Sequence, residues 1–423
     1  MLQTLVNALK TPDIRRKLAF TAAMLALYRL GAYIPAPGID VQAVERLSES
    51  FRGSNVLGFL NLFSGGSLQR FAIFALGIMP YITASIMLQL LTVVLPSLEK
   101  LRKEGEVGQQ KITQYTRYLT VGLAFGQSIG YVFLFRSFGA SAGASVVQDF
   151  TFAKVFVIVT TLTAGTVLVM WLGELITQRG IGNGISLMIF ASIVAGLPQG
   201  LQGWWTNPDQ IFKVMMPFIA LAVVAAVVFM QEGQRRIPVQ YAKRVVGRRM
   251  AGGSSTYLPL RVNMAGVIPV IFAASLMAFP PTVGELIQAP WARGLSSFFN
   301  PSGWAYLVGE AILIIVFTYF YTAVTFNPVE QADNLKKYGG FIPGVRPGRP
   351  TAEFLDRILS RLTFPGAIYL ALVAALPTIL INQTSANFFF GGTSLLIVVG
   401  VALDTMKQLE AQLMMRNYEG FLK

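Results

Sequence analysis

Ten apolar stretches, each about as long as a membrane-spanning helix, constrain the fold of this chain more than any other feature. A helix needs about 20 mostly apolar residues to cross the hydrocarbon core of a bilayer. An eleventh stretch, Gly58–Ser67, is too short and too rich in glycine to span. Because backbone groups in lipid must be paired internally, we predict an all-α polytopic membrane protein with ten transmembrane helices. The ten stretches lie at about 18–36, 72–95, 116–136, 153–173, 184–201, 214–231, 263–280, 304–326, 365–382 and 394–412.

The composition excludes an ordinary soluble or disordered chain. Charged residues make up 13% and hydrophobic residues 54% of the 423 residues, whereas a soluble domain is about 25% charged. The chain has no cysteine and no histidine, which removes disulfides, thiolate metal sites and the commonest general base. Nothing in it resembles a nucleotide-binding loop. We therefore expect neither an enzyme nor a bound cofactor.

Lysine and arginine are distributed unevenly between the segments that join the spans. If the amino terminus is cytoplasmic, the cytoplasmic segments hold 26 of these residues and the opposite face holds 6. Cytoplasmic loops of membrane proteins carry the excess of positive charge, so we predict that both termini are cytoplasmic. No small-residue cleavage site follows the first span, and we expect a retained helix there, not a cleaved signal peptide.

Two cytoplasmic segments, 231–262 and 327–364, are longer than a connection between spans requires and carry much of the net charge of +14. Attraction to anionic lipid would explain their charge. A docking surface for a large acidic partner would explain both their charge and their length. The basic residues are Arg235, Arg236, Lys243, Arg244, Arg248, Arg249 and Arg261 in the first segment and Lys336, Lys337, Arg346, Arg349, Arg357 and Arg361 in the second.

The second and seventh spans contain the same short pattern. Residues 77–82 align without a gap with residues 266–271, and both begin with glycine, have proline at the fourth position and end with isoleucine. Chance would explain the match, since glycine and proline are frequent in membrane helices. A repeat of five spans would invert the second half relative to the first and would point to a functional site at the mid-plane. We predict halves at 1–203 (spans one to five) and 204–423 (spans six to ten), with the two spans kinked at their prolines.

Ionisable residues, which mark most ion-coupled transporters, are rare inside the spans. Glu174 and Asp404 lie near the cytoplasmic ends, where solvated positions are expected, and the sequence assigns no role to Arg29 or Glu310. Isoleucines instead recur at similar depth in spans two, five, seven and ten. A ring of apolar side chains can close a pore by excluding water, although ordinary helix packing would also place isoleucine there. These residues are Ile82, Ile86, Ile185, Ile189, Ile271 and Ile397.

Several longer motifs occur in order along the whole chain. On these motifs the chain resembles the SecY/SEC61-alpha family, the central channel subunits of protein translocases. The resemblance implies a channel that translocates unfolded preproteins across the bacterial cytoplasmic (inner) membrane and releases membrane-protein segments sideways into lipid. The motifs are Phe63–Gly66, Phe74–Ile82, Gln114–Tyr118, Trp171–Glu174, Arg179–Ser186, Leu258–Pro269, Phe341–Gly348 and Arg416–Phe421.

The resemblance further implies an hourglass of two inverted halves, hinged near spans five and six. The six isoleucines would form its pore ring. Spans two and three would meet spans seven and eight at a lateral gate, with Pro80 and Pro269 as kinks in the principal gate helices. A short plug helix at about 58–71 would fill the outer funnel. The plug residues would be Leu60, Asn61, Leu62, Phe63, Ser64, Gly65, Gly66, Ser67, Leu68 and Arg70.

The partners also follow from the resemblance. The basic loops would bind the motor ATPase SecA or a translating ribosome, and Arg346 is similar to a family position that couples the channel to its partner. SecE and SecG would complete a heterotrimer, while signal sequences, preproteins and membrane lipid would contact the channel. SecDF and YidC are further candidates. The contact residues would be Lys243, Arg244, Arg248, Arg249 and Arg346.

Two other classes of protein share parts of this pattern. A secondary transporter with inverted repeats would have the same architecture, but it would take up a small solute unaided and carry polar ligands at the mid-plane. A scaffolding membrane protein would conduct nothing under any mutation. The sequence leaves the oligomeric state, the substrate set and the state of the gate open.

Overall fold

The computed structural model of the chain describes residues 9–40, 42–44, 61, 64–141, 146–147, 150–206, 210–241, 244–246, 249–251, 255–286, 294, 298–299, 303–384 and 392–421. Within these residues we number the longer helices and the strands in chain order. They are α1 (Pro12–Gly31), α2 (Met79–Val94), α3 (Pro96–Lys103), α4 (Glu106–Ser141), α5 (Phe152–Arg179), α6 (Gly184–Thr206), α7 (Gln210–Glu232), β1 (Gln234–Tyr241), β2 (Arg244–Val246), β3 (Arg249–Ala251), β4 (Ser255–Arg261), α8 (Ile268–Leu286), α9 (Trp304–Thr325), α10 (Pro328–Lys337), β5 (Gly340–Phe341), α11 (Arg349–Thr384) and α12 (Gly392–Phe421).

Each of the ten predicted spans overlaps one helix, namely α1, α2, α4 to α9, α11 or α12. Six helices in the described part of the chain are long and apolar enough to cross a membrane, and α2 with α3 makes a seventh if that pair is counted as one span. The axes of α2 and α3 differ by 98°. The structure therefore supports a helical membrane protein, while the count of ten spans stays a prediction.

The prediction that the second and seventh spans are kinked at their prolines is wrong, because both prolines lie at the start of a helix. Pro80 and Pro269 each occupy the second position of a helix, and neither lies in a helix interior. Proline suits the first turn because its fixed φ is helical and its missing N–H has no partner there. Gly77 (φ 56°) and Gly266 (φ 64°) precede them by three residues in the left-handed region that glycine tolerates. The same turn thus starts both helices, which is the local conformation that an internal repeat requires.

The two long basic segments are not simple loops, and the all-α prediction omits them. Strand β1 pairs antiparallel with β4, from Gln234 opposite Arg261 to Gln240 opposite Ser255. Its other edge pairs with β5, so that segment 327–364 adds a strand to the sheet of segment 231–262. Part of the second segment is also the beginning of α11. A separate hydrophobic cluster fills the space beneath the sheet, with Ile237, Val239, Leu260, Phe326, Ile342, Leu355, Ile358 and Leu359 as its buried members.

Glu174 is not merely solvated at the end of its helix, as the sequence suggested. Its carboxylate oxygens accept two hydrogen bonds from the Arg117 guanidinium, from Nε at 2.8 Å and from Nη2 at 2.7 Å. Such a bidentate charge-assisted pair fixes the relative position of two helices. It joins α4 to α5 within the amino-terminal half.

The largest hydrophobic cluster joins the two predicted halves. Its buried residues come from α1, α2, α5 and α6 on one side and from α7, α8, α9, α11 and α12 on the other. Between helices in lipid, such a cluster is held by close van der Waals packing, because lipid tails are as apolar as the side chains. The six isoleucines predicted for the pore ring lie in this shared core.

Candidate functional site

All six isoleucines predicted for the ring lie in the shared core, and we call them the isoleucine layer. Helix α2 contributes Ile82 and Ile86, one turn apart, and α6 contributes Ile185 and Ile189. Helices α8 and α12 contribute Ile271 and Ile397. Five of the six side chains are no more than 8% exposed, and Ile185 is half-buried. Four helices that are distant in sequence therefore contribute isoleucines to the same hydrophobic core.

Two cavities lie on either side of Ile189 along α6. Ser186 lines a cavity of about 470 Å³, whereas Ser192, Ala195 and Gly196 line one of about 60 Å³. Ile189 lies between them, within one helical turn of each serine. On α8, Ile268 lines the larger cavity and Ile271 follows three residues later. Ile189 thus lies between the linings of the two cavities.

The larger cavity is lined by polar and charged side chains from α7, β4, the turn before α8, and α12. The Lys407 ammonium contacts the Glu232 carboxylate at 2.7 Å and links α12 to α7. The Asn263 amide donates to the Gly266 carbonyl at 2.9 Å. Gln231 Nε2 and Asn263 Oδ1 have no hydrogen-bond partner among the described residues. Because an unpaired buried polar group is costly, these atoms suit a cavity that admits water or peptide groups.

Part of the predicted plug borders the smaller cavity, through Asn61, Gly65, Gly66 and Arg70. Asn61 and Ser64–Arg70 are described, whereas Leu60, Leu62 and Phe63 lie outside the described residues. Hydrogen bonds make this segment compact: Gln69 N donates to Asn61 Oδ1 at 2.9 Å, and Ser67 Oγ donates to the Ser64 carbonyl at 2.7 Å. Ser64–Arg70 forms turns, so the plug helix stays a prediction.

The predicted gate helices α2 and α8 touch between the first turn of α2 and a point about two turns into α8. There Ser275 Oγ lies 3.9 Å from Met79 Sδ. On the α8 side of the seam, the Phe272 ring packs edge-on against Phe317 and Tyr321 of α9. At the far end, the Arg102 guanidinium of α3 donates to the Val324 carbonyl of α9. In this structure the seam is closed.

The predicted docking residues are described only in part. Lys243 and Arg248 lie outside the described residues, while Arg244 and Arg249 belong to the hairpin of β2 and β3. Arg346 is exposed on the turn that leads into α11. Its carbonyl accepts a hydrogen bond from Thr351 Oγ1 at 2.8 Å, which holds the turn in place. The exposed side chain therefore extends from a turn whose backbone is held by this hydrogen bond.

Sequence reasoning missed two features of this site. It did not find the sheet that unites the basic segments, because β5 is only two residues long. It noticed Arg29 as a charge within a span without assigning it a contact. In the structure, Arg29 Nη1 donates to the carbonyl of Gly65 in the predicted plug at 2.8 Å.

Known proteins are similar to this chain in sequence and in fold. The profile of the SecY family matches residues 72–406. The protein translocase subunit SecY of Mycobacterium bovis is 50% identical over 441 residues, with 100% of both chains covered. A solved SecY structure, described as having a plug domain that stabilises the closed state, has a TM-score of 0.61 at 20% identity and covers 93% of this chain and 91% of its own. Sec61 in the canine ribosome–channel complex has a TM-score of 0.58 at 18% identity, with the same coverage. The chain belongs to the SecY family of protein translocase subunits.

Proposed function

We propose that this chain forms the protein-conducting pore of its translocase, with the isoleucine layer as its constriction. The observation that supports the proposal is the position of Ile189 on α6 between the linings of two cavities, together with the burial of the other ring isoleucines in the same core. A peptide group in hydrocarbon costs several kcal/mol when unpaired, so a passing chain needs polar surroundings on both sides. An apolar constriction cannot solvate an ion, and it can therefore seal the pore when no chain occupies it.

Isoleucine suits this role for two physical reasons. Its branched side chain is stiff at χ1, so the layer keeps its shape. It also offers no hydrogen bond, so it does not hold a passing chain. The passage would run between residues 1–203 and 204–423, with the amino terminus and the two basic segments on the cytoplasmic side of the inner membrane.

The seam between α2 and α8 would be the lateral gate. Its described contacts are apolar packing, the 3.9 Å contact between Ser275 and Met79 and, at the far end, the hydrogen bond from Arg102 to the Val324 carbonyl. Opening of the seam toward lipid would therefore break one charge-assisted hydrogen bond. An apolar signal sequence in the pore would then partition into the bilayer according to its hydrophobicity.

The sheet of β4, β1 and β5, with the turn that carries Arg346, would be the docking platform for the driving partner. The sheet contains strands from both basic segments, so one partner could contact both segments at once. Their positive charge favours a partner with acidic or nucleic-acid surface. The canine relative was solved in a ribosome complex, and the family resemblance implies SecA as an alternative partner, with SecE and SecG as companion subunits.

The first prediction tests the constriction. Replacing Ile82, Ile86 and Ile271 together with serine should raise the resting ion conductance in planar bilayers several-fold, because hydroxyl groups let water wet the layer. The control replaces Ile158, Ile237 and Ile358, which are equally buried in the other clusters. Equal conductance of both triple variants would refute the assignment.

The second prediction tests the docking platform. Arg346→Glu should lower, several-fold, the fraction of preprotein that a motor or ribosome moves into vesicles, measured as protection from protease. Membrane insertion of the variant itself should be normal. Arg349→Glu is the matched control, because Arg349 is exposed and pairs only with Glu353 of its own helix among the described residues, at 3.1 Å. Wild-type transport by Arg346→Glu would contradict a docking role.

The third prediction tests the lateral gate. The chain has no cysteine, so Met79→Cys with Ser275→Cys would be its only thiols. Linking them by oxidation or with a short bis-maleimide should block entry of signal sequences, as scored by photo-cross-linking, and reductant should restore entry after oxidation. Each single-cysteine variant is the control. Unhindered entry after complete linkage would place the gate elsewhere.

A further inference from the structure

Arg29 is the charged residue of α1 whose place in the fold the proposed pore does not explain. Its guanidinium makes no ion pair with a carboxylate among the described residues, and its hydrogen bonds go elsewhere. Nη1 donates to the Gly65 carbonyl at 2.8 Å, and Nη2 donates to Tyr33 Oη at 3.3 Å. A hydrogen bond from a charged donor is about twice as strong as a neutral one. The strongest polar contact of this cation is thus with the predicted plug.

A second contact ties the same elements together. The Tyr33 ring lies 5.4 Å from Arg29 Cζ and 4.0 Å from Arg70 Cζ. Arginine over an aromatic face gains an attraction of about 0.5–1 kcal/mol at an exposed site. Arg29 belongs to the helix and Arg70 to the plug, so one tyrosine bridges a cation from each.

Gly65 permits this close approach. Its φ of 65° is one that other residues rarely adopt. A Cβ atom at this position would lie 2.9 Å from Arg29 Nη1 and 3.3 Å from Ser192 Cα. Ser192 is one helical turn beyond Ile189 of the isoleucine layer, and its hydroxyl is 2.7 Å from that of Tyr28, the neighbour of Arg29. The plug backbone is thereby held against α6 immediately beside the constriction.

We propose that Arg29 is a positioning residue that anchors the plug through the Gly65 carbonyl and so holds it next to the isoleucine layer. The inference rests on the proposed pore and names the contact that keeps its plug in place. Loss of the guanidinium would free the plug backbone from α1 without removing any residue of the plug or of the constriction.

The test measures plug position and channel leak separately. Ser67→Cys is a reporter, since Ser67 is fully buried in the plug and the chain has no other thiol. The full-length chain, with its companion subunits in nanodiscs, is treated with a water-soluble maleimide. Arg29→Ala should raise the labelling rate about tenfold, and Arg29→Lys should give an intermediate rate because lysine can still donate one hydrogen bond. Resting conductance of the same variants, without the reporter, is then measured in planar bilayers.

Arg136→Ala is the matched control, because Arg136 lies at the far end of α4 and stacks on Phe150, 4.0 Å from the ring centroid. Gly65→Ala disturbs the same contact from the plug side and should also raise labelling, so the test does not depend on Arg29→Ala folding. An unchanged labelling rate in both variants would overturn the anchor. Increased labelling with unchanged conductance would support the anchor and refute the plug as a seal.

Discussion

A polar polypeptide can cross a bilayer only where protein or water replaces lipid around its peptide groups, and the same opening must exclude ions. In the proposed pore, the isoleucine layer would meet both requirements. On α6, a single turn on either side of Ile189 leads to a serine that lines a cavity. A longer apolar barrier would leave more peptide groups of the passing chain without hydrogen-bond partners. A polar barrier would let ions through.

The elements around the layer differ in how firmly they are held. Within the amino-terminal half, the bidentate pair of Arg117 and Glu174 joins α4 to α5, and Tyr28 bonds to Ser192 in the core. The seam of α2 and α3 with α8 and α9 is held by the contact of Met79 with Ser275, by apolar packing and by the hydrogen bond from Arg102 to the Val324 carbonyl. The bidentate pair thus lies within one predicted half, while the seam has a single charge-assisted hydrogen bond near its far end. The predicted plug is held to α1 and the residues after it by one charge-assisted hydrogen bond, from Arg29 to the Gly65 carbonyl. It is also held by Tyr33, whose ring contacts both Arg29 and Arg70.

The sequence predicted the elements of the site better than their local geometry. Apolar length located a helix at each predicted span, and the repeated Gly-x-x-Pro pattern located both gate helices. The pattern was misread as a kink because proline in an apolar run does not reveal where the helix begins. The structure places Met79 and Ile268 at the start, since the preceding glycine adopts a positive φ.

Contacts between distant segments could not be predicted from the residues alone. Pairing of β5 with β1 joins residues about 100 positions apart, and a two-residue strand carries no periodicity of its own. The contact of Arg29 with Gly65 depends on a backbone carbonyl, which has no sequence signature. The isoleucines were identified as candidates, and they lie in one buried core together with many other apolar side chains. Their role as a pore ring therefore stays a prediction.

The most direct test of the account is the path of a preprotein that is stalled halfway through the channel. A photo-reactive residue in the stalled segment should cross-link to Ile82, Ile189, Ile271 and Ile397, which line the predicted passage on four helices. Leu221 and Phe229 of α7 are 72% and 76% exposed on the outside of the protein and should remain unlabelled. Cross-links confined to such outward side chains would mean that the polypeptide does not pass between the two halves, and would contradict the account.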